Sequence, residues 1–378
     1  MNTTVIHLLT ETDSFSDIHG AALQRWVANV LRFEKHTSVV ASPRADESWG
    51  LSQVELVILP ALRAYSYLRG RYRMPWVLRR PLLRKILRPV VAKLRSESVL
   101  WIHNRPDYAV AIQDDVRKTG AKLVVHLHNS LLISFPSAIT RSLKADKLVF
   151  CSSYLEAEAK RAFPSIDNTA VIHNGADGGR FFPRPLIDQD FDKTPRVLFA
   201  GRIVPEKGAH IFVEAMRCLQ SRGVRAQGRI LGATGFGSRN TPTAYSLKLS
   251  GNAPNNVQFA GYCSGAALAD EFRAADVFCS PSVWEEPFGL VNVEAMASGL
   301  ATVATRGGGV PEVFASGGAV LVARDSVSEL AAALELVIRD EALRRQIAGE
   351  AYQSFQKNFT WRATHGRYRE VLARLNEC

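Results

Sequence analysis

The sequence predicts an α/β chain with two parallel sheets, each covered by helices on both faces. Three observations carry that expectation. Short apolar, β-rich runs alternate with helical stretches along the chain, the pattern of strand–helix–strand units. At 378 residues the chain is too long for one ordinary core, so two domains are the natural division. A stretch over 174–195, rich in Gly, Pro and Asp, reads as a linker between two strand–helix series.

Taken in order, residues 5–9 read as a buried strand, 11–19 as polar loop, and a helix begins near Gly20 with Leu23, Trp26, Val27 and Val30 at helical spacing. Apolar runs at 37–41, 54–59, 99–103, 122–126, 147–151 and 169–172 continue the strand series, with a helix over 107–119. The second series opens at Arg196 and takes strands at 196–200, 229–231, 257–261, 275–280 and 301–305. Residues 326–375 are expected to be helical, with Trp361 beginning the final helix.

Hydrophobic content of 47% and charged content of 22% are those of a globular protein. The net charge of +11 favours an anionic partner such as nucleotide phosphate or an anionic membrane face. Cys151, Cys218, Cys263, Cys279 and Cys378 are scattered, odd in number and lack C-x-x-C spacing. That argues for a reducing compartment and against a disulfide framework or structural zinc. No apolar run approaches the ~20 residues of a membrane span, and the first residues do not read as a signal peptide. A cytoplasmic chain is expected.

Between Leu62 and Arg95, eleven Arg and Lys residues occur without one acid, interleaved with Tyr65, Tyr67, Tyr72, Trp76 and leucines. Leu83, Leu87, Val91 and Leu94 can share a helical face, with Pro81 and Pro89 as starts or kinks. Two readings stand: peripheral docking on an anionic membrane, or a solvated helix packed on its own domain. No motif for nucleic acid accompanies the charge, and none is expected as a partner.

The second half carries the chemistry. Glu286 and Glu294 flank the start of a helix that opens near Leu290 and stops at Gly299, whose first amides have no partner inside the helix. Carboxylates accept from hydroxyls while such amides donate to phosphate or ring oxygens, which suits a sugar nucleotide. Upstream, Arg202 and Lys207 are spaced to close on a diphosphate, one as a planar fork and one as a point charge. Asp188-Gln189-Asp190 sits in the linker rather than at a strand end, so it is not read as a metal pair. The glycine-rich run 232–237 has the wrong form for a dinucleotide loop. In the first half, His128 lies just past a strand, where doubly wound sheets hold ligands, whereas His126 falls within the sheet.

Gly201-Arg202-x4-Lys207-Gly208, Glu286-Pro287-Phe288-Gly289-Leu290-x3-Glu294 and Gly308-Gly309-Val310-Pro311-Glu312 together resemble the retaining glycosyltransferases of family 4. Bacterial surface- and spore-coat-polysaccharide transferases share the pattern. The resemblance implies the GT-B fold, two doubly wound Rossmann-like domains facing across a cleft. It implies an acceptor-binding domain over 1–180, a nucleotide-sugar domain over 181–358, and a helix over 359–378 returning to the first domain. Arg202 and Lys207 would hold the donor diphosphate and Glu294 the ribose hydroxyls. Glu286 and the amides of Phe288, Gly289 and Leu290 would contact the donor sugar. His128 would hydrogen-bond the sugar near the reacting carbon, and Gly20 would approach phosphate or acceptor. The family needs no metal or other cofactor. Two departures bear on this: His19 stands where a glycine often precedes Gly20, and Arg306 precedes a three-glycine run.

The expected activity is transfer of a hexosyl or N-acetylhexosaminyl unit from a UDP-linked donor to a glycan or lipid-linked acceptor in cell-surface polysaccharide assembly, with retention. The rivals are an epimerase or hydrolase of the same fold, separated by product analysis without acceptor, and a non-catalytic nucleotide-sugar-binding subunit, separated by binding without turnover.

Overall fold

A computed structural model describes residues 3–16, 22–46, 49–70, 74–135, 137–185, 194–235 and 241–377. The chain divides into two compact units, Met1–His173 with Thr364–Cys378, and Asn174–Ala363.

The first unit runs β1 (Val5–Leu8), α1 (Ala22–Leu31), β2 (Ser38–Ser42), β3 (Val54–Ile58), α2 (Ala61–Arg69), α3 (Trp76–Val91), β4 (Val99–His103) and α4 (Pro106–Thr119). It continues through β5 (Lys122–Leu127), α5 (Leu131–Ser134), α6 (Ser137–Ser142), β6 (Lys147–Phe150), α7 (Ser153–Ala162) and β7 (Thr169–Val171). Seven strands pair in parallel in the order β3-β2-β1-β4-β5-β6-β7. All five residues of β4 are buried, as a strand covered on both faces requires, which is why it reads as an apolar run rather than an alternation. Helix α4 starts on Pro106 at its first turn and ends on Gly120 at φ 79, a conformation an L side chain resists. Trp26 and Trp101 are 1% and 0% exposed and anchor the core beside the sheet.

The second unit runs β8 (Arg196–Ala200), α8 (Ala209–Ser221), β9 (Gln227–Leu231), α9 (Ala244–Gly251), β10 (Val257–Gly261), α10 (Gly265–Ala274), β11 (Val277–Ser280) and α11 (Leu290–Ala297). Then come β12 (Ala301–Thr305), α12 (Val310–Val313), β13 (Ala319–Val322), α13 (Val327–Arg339), α14 (Glu341–Asn358) and α15 (Trp361–Asn376), the last crossing back into the first unit at Thr364. Six strands pair in parallel in the order β10-β9-β8-β11-β12-β13. Phe199, Phe212, Met216, Val277 and Leu334 belong to the apolar cluster between this sheet and its helices.

One sequence expectation needs correction, and one strand was not foreseen. The face of α3 buries Leu83, Leu87 and Val90, with Leu94 beyond its end, whereas Val91 is only half-buried. Pro81 and Pro89 both lie inside α3, the interior position that the second of their two expected roles allows. Strand β13 went unforeseen although Ala319-Val320-Leu321-Val322 is a continuous apolar run; it is a four-residue strand at the sheet edge, its first three residues half-buried. The linker pair Asp188 and Asp190 lies outside the described residues, as do His19 and Gly20.

Candidate active site

In each sheet the strand order reverses between two neighbours, β1 and β4 in the first unit and β8 and β11 in the second. Ligands of doubly wound sheets sit outside the carboxyl ends at such a switch point. In the second unit, the loops leaving β8 and β11 carry Arg202 and Lys207 on one side and Glu286 on the other.

Backbone packing brings these loops together. Gly201 N–H donates to Leu231 O at 3.0 Å and Ile203 N–H to Ala233 O at 2.9 Å, which pins the segment bearing Arg202. A Cβ on Gly232 would stand 1.8 Å from Gly201 O, so glycine alone permits the approach; this, not a dinucleotide loop, is what the start of the 232–237 run does. One short 3-10 turn, Pro205–Lys207, then leads to Gly208 at φ 72. There a Cβ would meet Pro281 O at 1.8 Å, and Val283 N–H donates to Glu206 O at 3.0 Å. The turn after β8 therefore lies directly on the loop after β11.

Lys207 Nζ donates to Glu286 Oε1 at 2.5 Å, and Ser282 Oγ donates to the same oxygen at 2.6 Å. Lys207 Nζ also lies 5.1 Å from the centre of the Trp284 ring, a cation–π contact. Burial pushes the Glu286 carboxyl up, but the Lys207 ammonium and hydrogen bonds from Lys207, Ser282 and Trp284 outweigh it and hold the group below the ordinary value of 4.5. Glu286 is thus an ionised acceptor at neutral pH. Gly309 N–H donates to Glu286 O at 2.7 Å, and a Cβ on Gly308 would stand 2.0 Å from that oxygen, so the three-glycine run is a close backbone contact with the Glu286 loop. Arg306 before it is exposed and donates its backbone N–H to Val322 O at 2.8 Å.

Helix α11 opens on Gly289, left-handed at φ 82, with Leu290 as its first residue. It closes on Gly299 at φ 64, where Leu300 N–H reaches back to Ala295 O at 3.1 Å. The Phe288 side chain is buried, its ring 6.1 Å from that of Phe359. Glu294 lies in α11 with 9% exposure. The structure therefore joins Lys207 directly to Glu286, and places Arg202, Phe288, Gly289, Leu290 and Glu294 on the flanking segments. His128 belongs to the other unit, in the loop after β5, half-buried, with its backbone N–H donating to Asn104 Oδ1 at 2.7 Å.

Sequence reasoning missed several residues here. Ser282 and Trp284 bind the Lys207–Glu286 pair; a serine and an aromatic just after a strand beside an acid were the available signal. In the first unit, Arg105 is 3% exposed and pairs with Glu11 at 2.7 Å and with Asp107 at 2.5 Å. Tyr108 Oη donates to Glu11 at 2.9 Å. This network closes the ends of β1 and β4 and left no local sequence signature.

Residues 187–354 match the family described as Glycosyl transferases group 1. The chain is a glycosyltransferase of GT-B fold. It is 32% identical over 249 residues to the D-inositol 3-phosphate glycosyltransferase of Actinosynnema mirum, a match spanning 61% of this chain and 59% of that protein. It is 26% identical over 288 residues to the lipopolysaccharide 1,2-N-acetylglucosaminetransferase of Salmonella typhimurium, spanning 74% of this chain and 73% of that one. The solved structure of Anabaena Alr3699/HepE in complex with UDP and glucose superposes with a TM-score of 0.72 over 98% of this chain and 99% of that one, at 20% identity. Both units of this glycosyltransferase, with their seven- and six-stranded sheets, fall within that match.

Proposed function

We propose that this glycosyltransferase moves a hexosyl or N-acetylhexosaminyl unit from a UDP-linked donor to a glycan or lipid-linked hydroxyl, with retention and without a metal at the diphosphate. The observation that carries the proposal is the Lys207–Glu286 pair at the switch point of the second sheet, with Arg202 on the loop beside it. In this reading Arg202 and Lys207 hold the diphosphate, and Glu294 takes the ribose hydroxyls. Glu286 and the amides of Phe288, Gly289 and Leu290 hold the donor sugar, while His128 serves the sugar from the first unit. The acceptor hydroxyl attacks on the face from which the diphosphate departs and gives its proton to the leaving phosphate. The UDP held by HepE and the lipopolysaccharide named for the Salmonella relative support the donor and acceptor classes.

Thermal unfolding with UDP, GDP and their sugars tests the donor site. A ligand at ~100 times its Kd adds about 2.7 kcal/mol, which raises Tm by several degrees for a chain of this size. UDP and one UDP-sugar should do so, with or without EDTA. No shift with any nucleoside diphosphate removes the donor site. Free sugar released without acceptor marks a hydrolase, and binding without any turnover marks a binding subunit.

The finer reading places the enzyme at the cytoplasmic face of an anionic membrane through α2 and α3. Val77, Leu78 and Tyr67 are 74%, 60% and 60% exposed there. Arg80, Arg84, Lys85, Arg88 and Lys118 line a cleft of about 800 Å³ with one acid, Asp115. Part of the charge is already used: Arg84 pairs with Asp115, and Lys93 pairs with Glu55 at 2.6 Å. Among the described residues no helix is long and apolar enough to cross a membrane. Sedimentation with vesicles containing anionic lipid should carry the chain down at low salt and release it at ~0.5 M salt, since the exposed cations are screened. Equal sedimentation with neutral vesicles would remove the electrostatic docking.

A further inference from the structure

Four histidines gather at the carboxyl ends of β1, β4 and β5, and the donor chemistry uses only the outermost. His7, His103 and His126 are fully buried, and His128 is half-buried. His103, His126 and His128 offer nitrogens within 4.8 Å of one another, a spacing a metal ion could use. The ring orientations argue against it. His126 lies against the face of His128, centroids 3.9 Å apart and planes 34° apart, so their lone pairs run nearly side by side. Co-ligands must instead converge on one ion at ~2.1 Å.

The other contacts form a line. Tyr368 Oη lies 3.3 Å from His7 Nε2, His7 Nδ1 lies 3.1 Å from His103 Nε2, and His103 Nδ1 lies 3.2 Å from His128 Nε2. The ring centroids of the two histidine pairs are 5.4 and 5.5 Å apart with planes 24° apart. Beyond the nitrogen separation, that leaves only the two ring radii, so the imidazoles meet end to end rather than face to face. Each is a linear hydrogen bond.

A neutral imidazole has one donor nitrogen and one acceptor nitrogen, so a proton placed at one end of such a line fixes every tautomer along it. Three of the rings favour the neutral form: burial lowers His7 to about 3 and pushes His103 and His126 well below the ordinary value. Burial raises the Tyr368 phenol far above its ordinary value, so it keeps its proton. That proton must go to an acceptor, because a buried hydroxyl without one costs roughly 1–3 kcal/mol. His7 Nε2 is the acceptor the geometry offers.

We propose that Tyr368 sets the tautomer of His128 through His7 and His103, so that His128 carries its proton on Nδ1 and enters the transfer as a hydrogen-bond donor from that atom. Tyr368 donates to His7, His7 Nδ1–H to His103, and His103 Nδ1–H to His128 Nε2. Nε2 of His128 is thereby occupied as an acceptor, and the ring is not a general base. His126, with neither nitrogen hydrogen-bonded and its ring edge-on to Trp26 at 4.7 Å, holds the face of His128 and takes no part in the line. Tyr368 and His103 are positioning residues, and α15 reaches the reacting end of the first sheet through them. The inference rests on the transferase reading for what His128 contacts, and not for its tautomer.

The test is a long-range proton–nitrogen correlation spectrum of the full chain labelled with ¹⁵N-histidine, assigned by single His→Gln variants. His7, His103 and His128 should each show the Nδ1–H tautomer. Tyr368→Phe should leave the melting curve cooperative, turn His128 into a mixture of tautomers, and lower kcat roughly threefold to tenfold with donor KM little changed. An Nε2–H tautomer at His128 in the unaltered chain overturns the proposal, and needs no variant to fold. So does an unchanged His128 spectrum in Tyr368→Phe, or one tightly bound zinc ion per chain after equilibration with Zn²⁺. The expected tautomers in a chain with no transferase activity would support the relay and sink the transferase reading instead.

Discussion

Arg202→Ala should lower turnover by roughly two to three orders of magnitude, the loss typical of removing one fixed donor aimed at developing charge. The bond that breaks leaves its electrons on the diphosphate, so negative charge at the terminal phosphate grows between the ground state and the transition state. A guanidinium held beside it matters more there than in the ground state, and kcat should fall further than KM rises. The backbone around Arg202 is fixed independently, by the bonds from Gly201 to Leu231 and from Ile203 to Ala233. The melting temperature should therefore change little. Arg202→Lys keeps the charge but loses the planar fork and should fall between. Steady-state kinetics with the donor identified by thermal shift decide it: near-normal kcat in the alanine variant refutes the clamp.

The strands were the easiest part of the fold to read, for a physical reason. In a parallel sheet covered on both faces each strand is a continuous apolar run, and 99–103, 196–200 and 301–305 fall where the runs stand. The run 319–322 marks β13 in the same way, but it is only four residues long and follows two glycines at a sheet edge. The buried position in α3 falls on Val90 rather than Val91, because helical spacing fixes a stripe only to within a residue. The site was legible as residue types but not as contacts. Lys207 and Glu286 are 79 positions apart, and their meeting depends on β8 neighbouring β11 and on Gly208 fitting under Pro281. No spacing in the chain encodes that. His7 and Tyr368 are farther still, 361 positions, and only strand order and the return of α15 bring them together.

Lys207→Met offers a second large effect, and one whose pH dependence has a definite sign. Glu286 has 8% of its side chain exposed and Lys207 22%, so the substitution leaves a largely buried carboxylate without its cation. The cost at pH 7 should be about 2 kcal/mol, below the range for fully buried pairs because Lys207 is partly solvated. Loss of the ammonium should also remove most donor binding. In the unaltered chain the folded-state pKa of Glu286 is depressed. Its contribution to stability is then fully present above the ordinary value of 4.5 and is lost as pH falls through the lower folded value. In the variant only burial and two neutral donors remain, burial dominates, and the folded-state pKa rises above 4.5. The folded variant then favours the proton, so acidification from pH 7 toward 4.5 relieves part of the penalty. Denaturant unfolding at several pH values should show the gap between the two proteins narrowing on acidification. Adding Glu286→Gln to the variant should remove that pH dependence. A gap that stays constant or widens as the pH falls would mean that Glu286 is not held ionised by Lys207, and the proposed arrangement of charge around the donor would have to be abandoned.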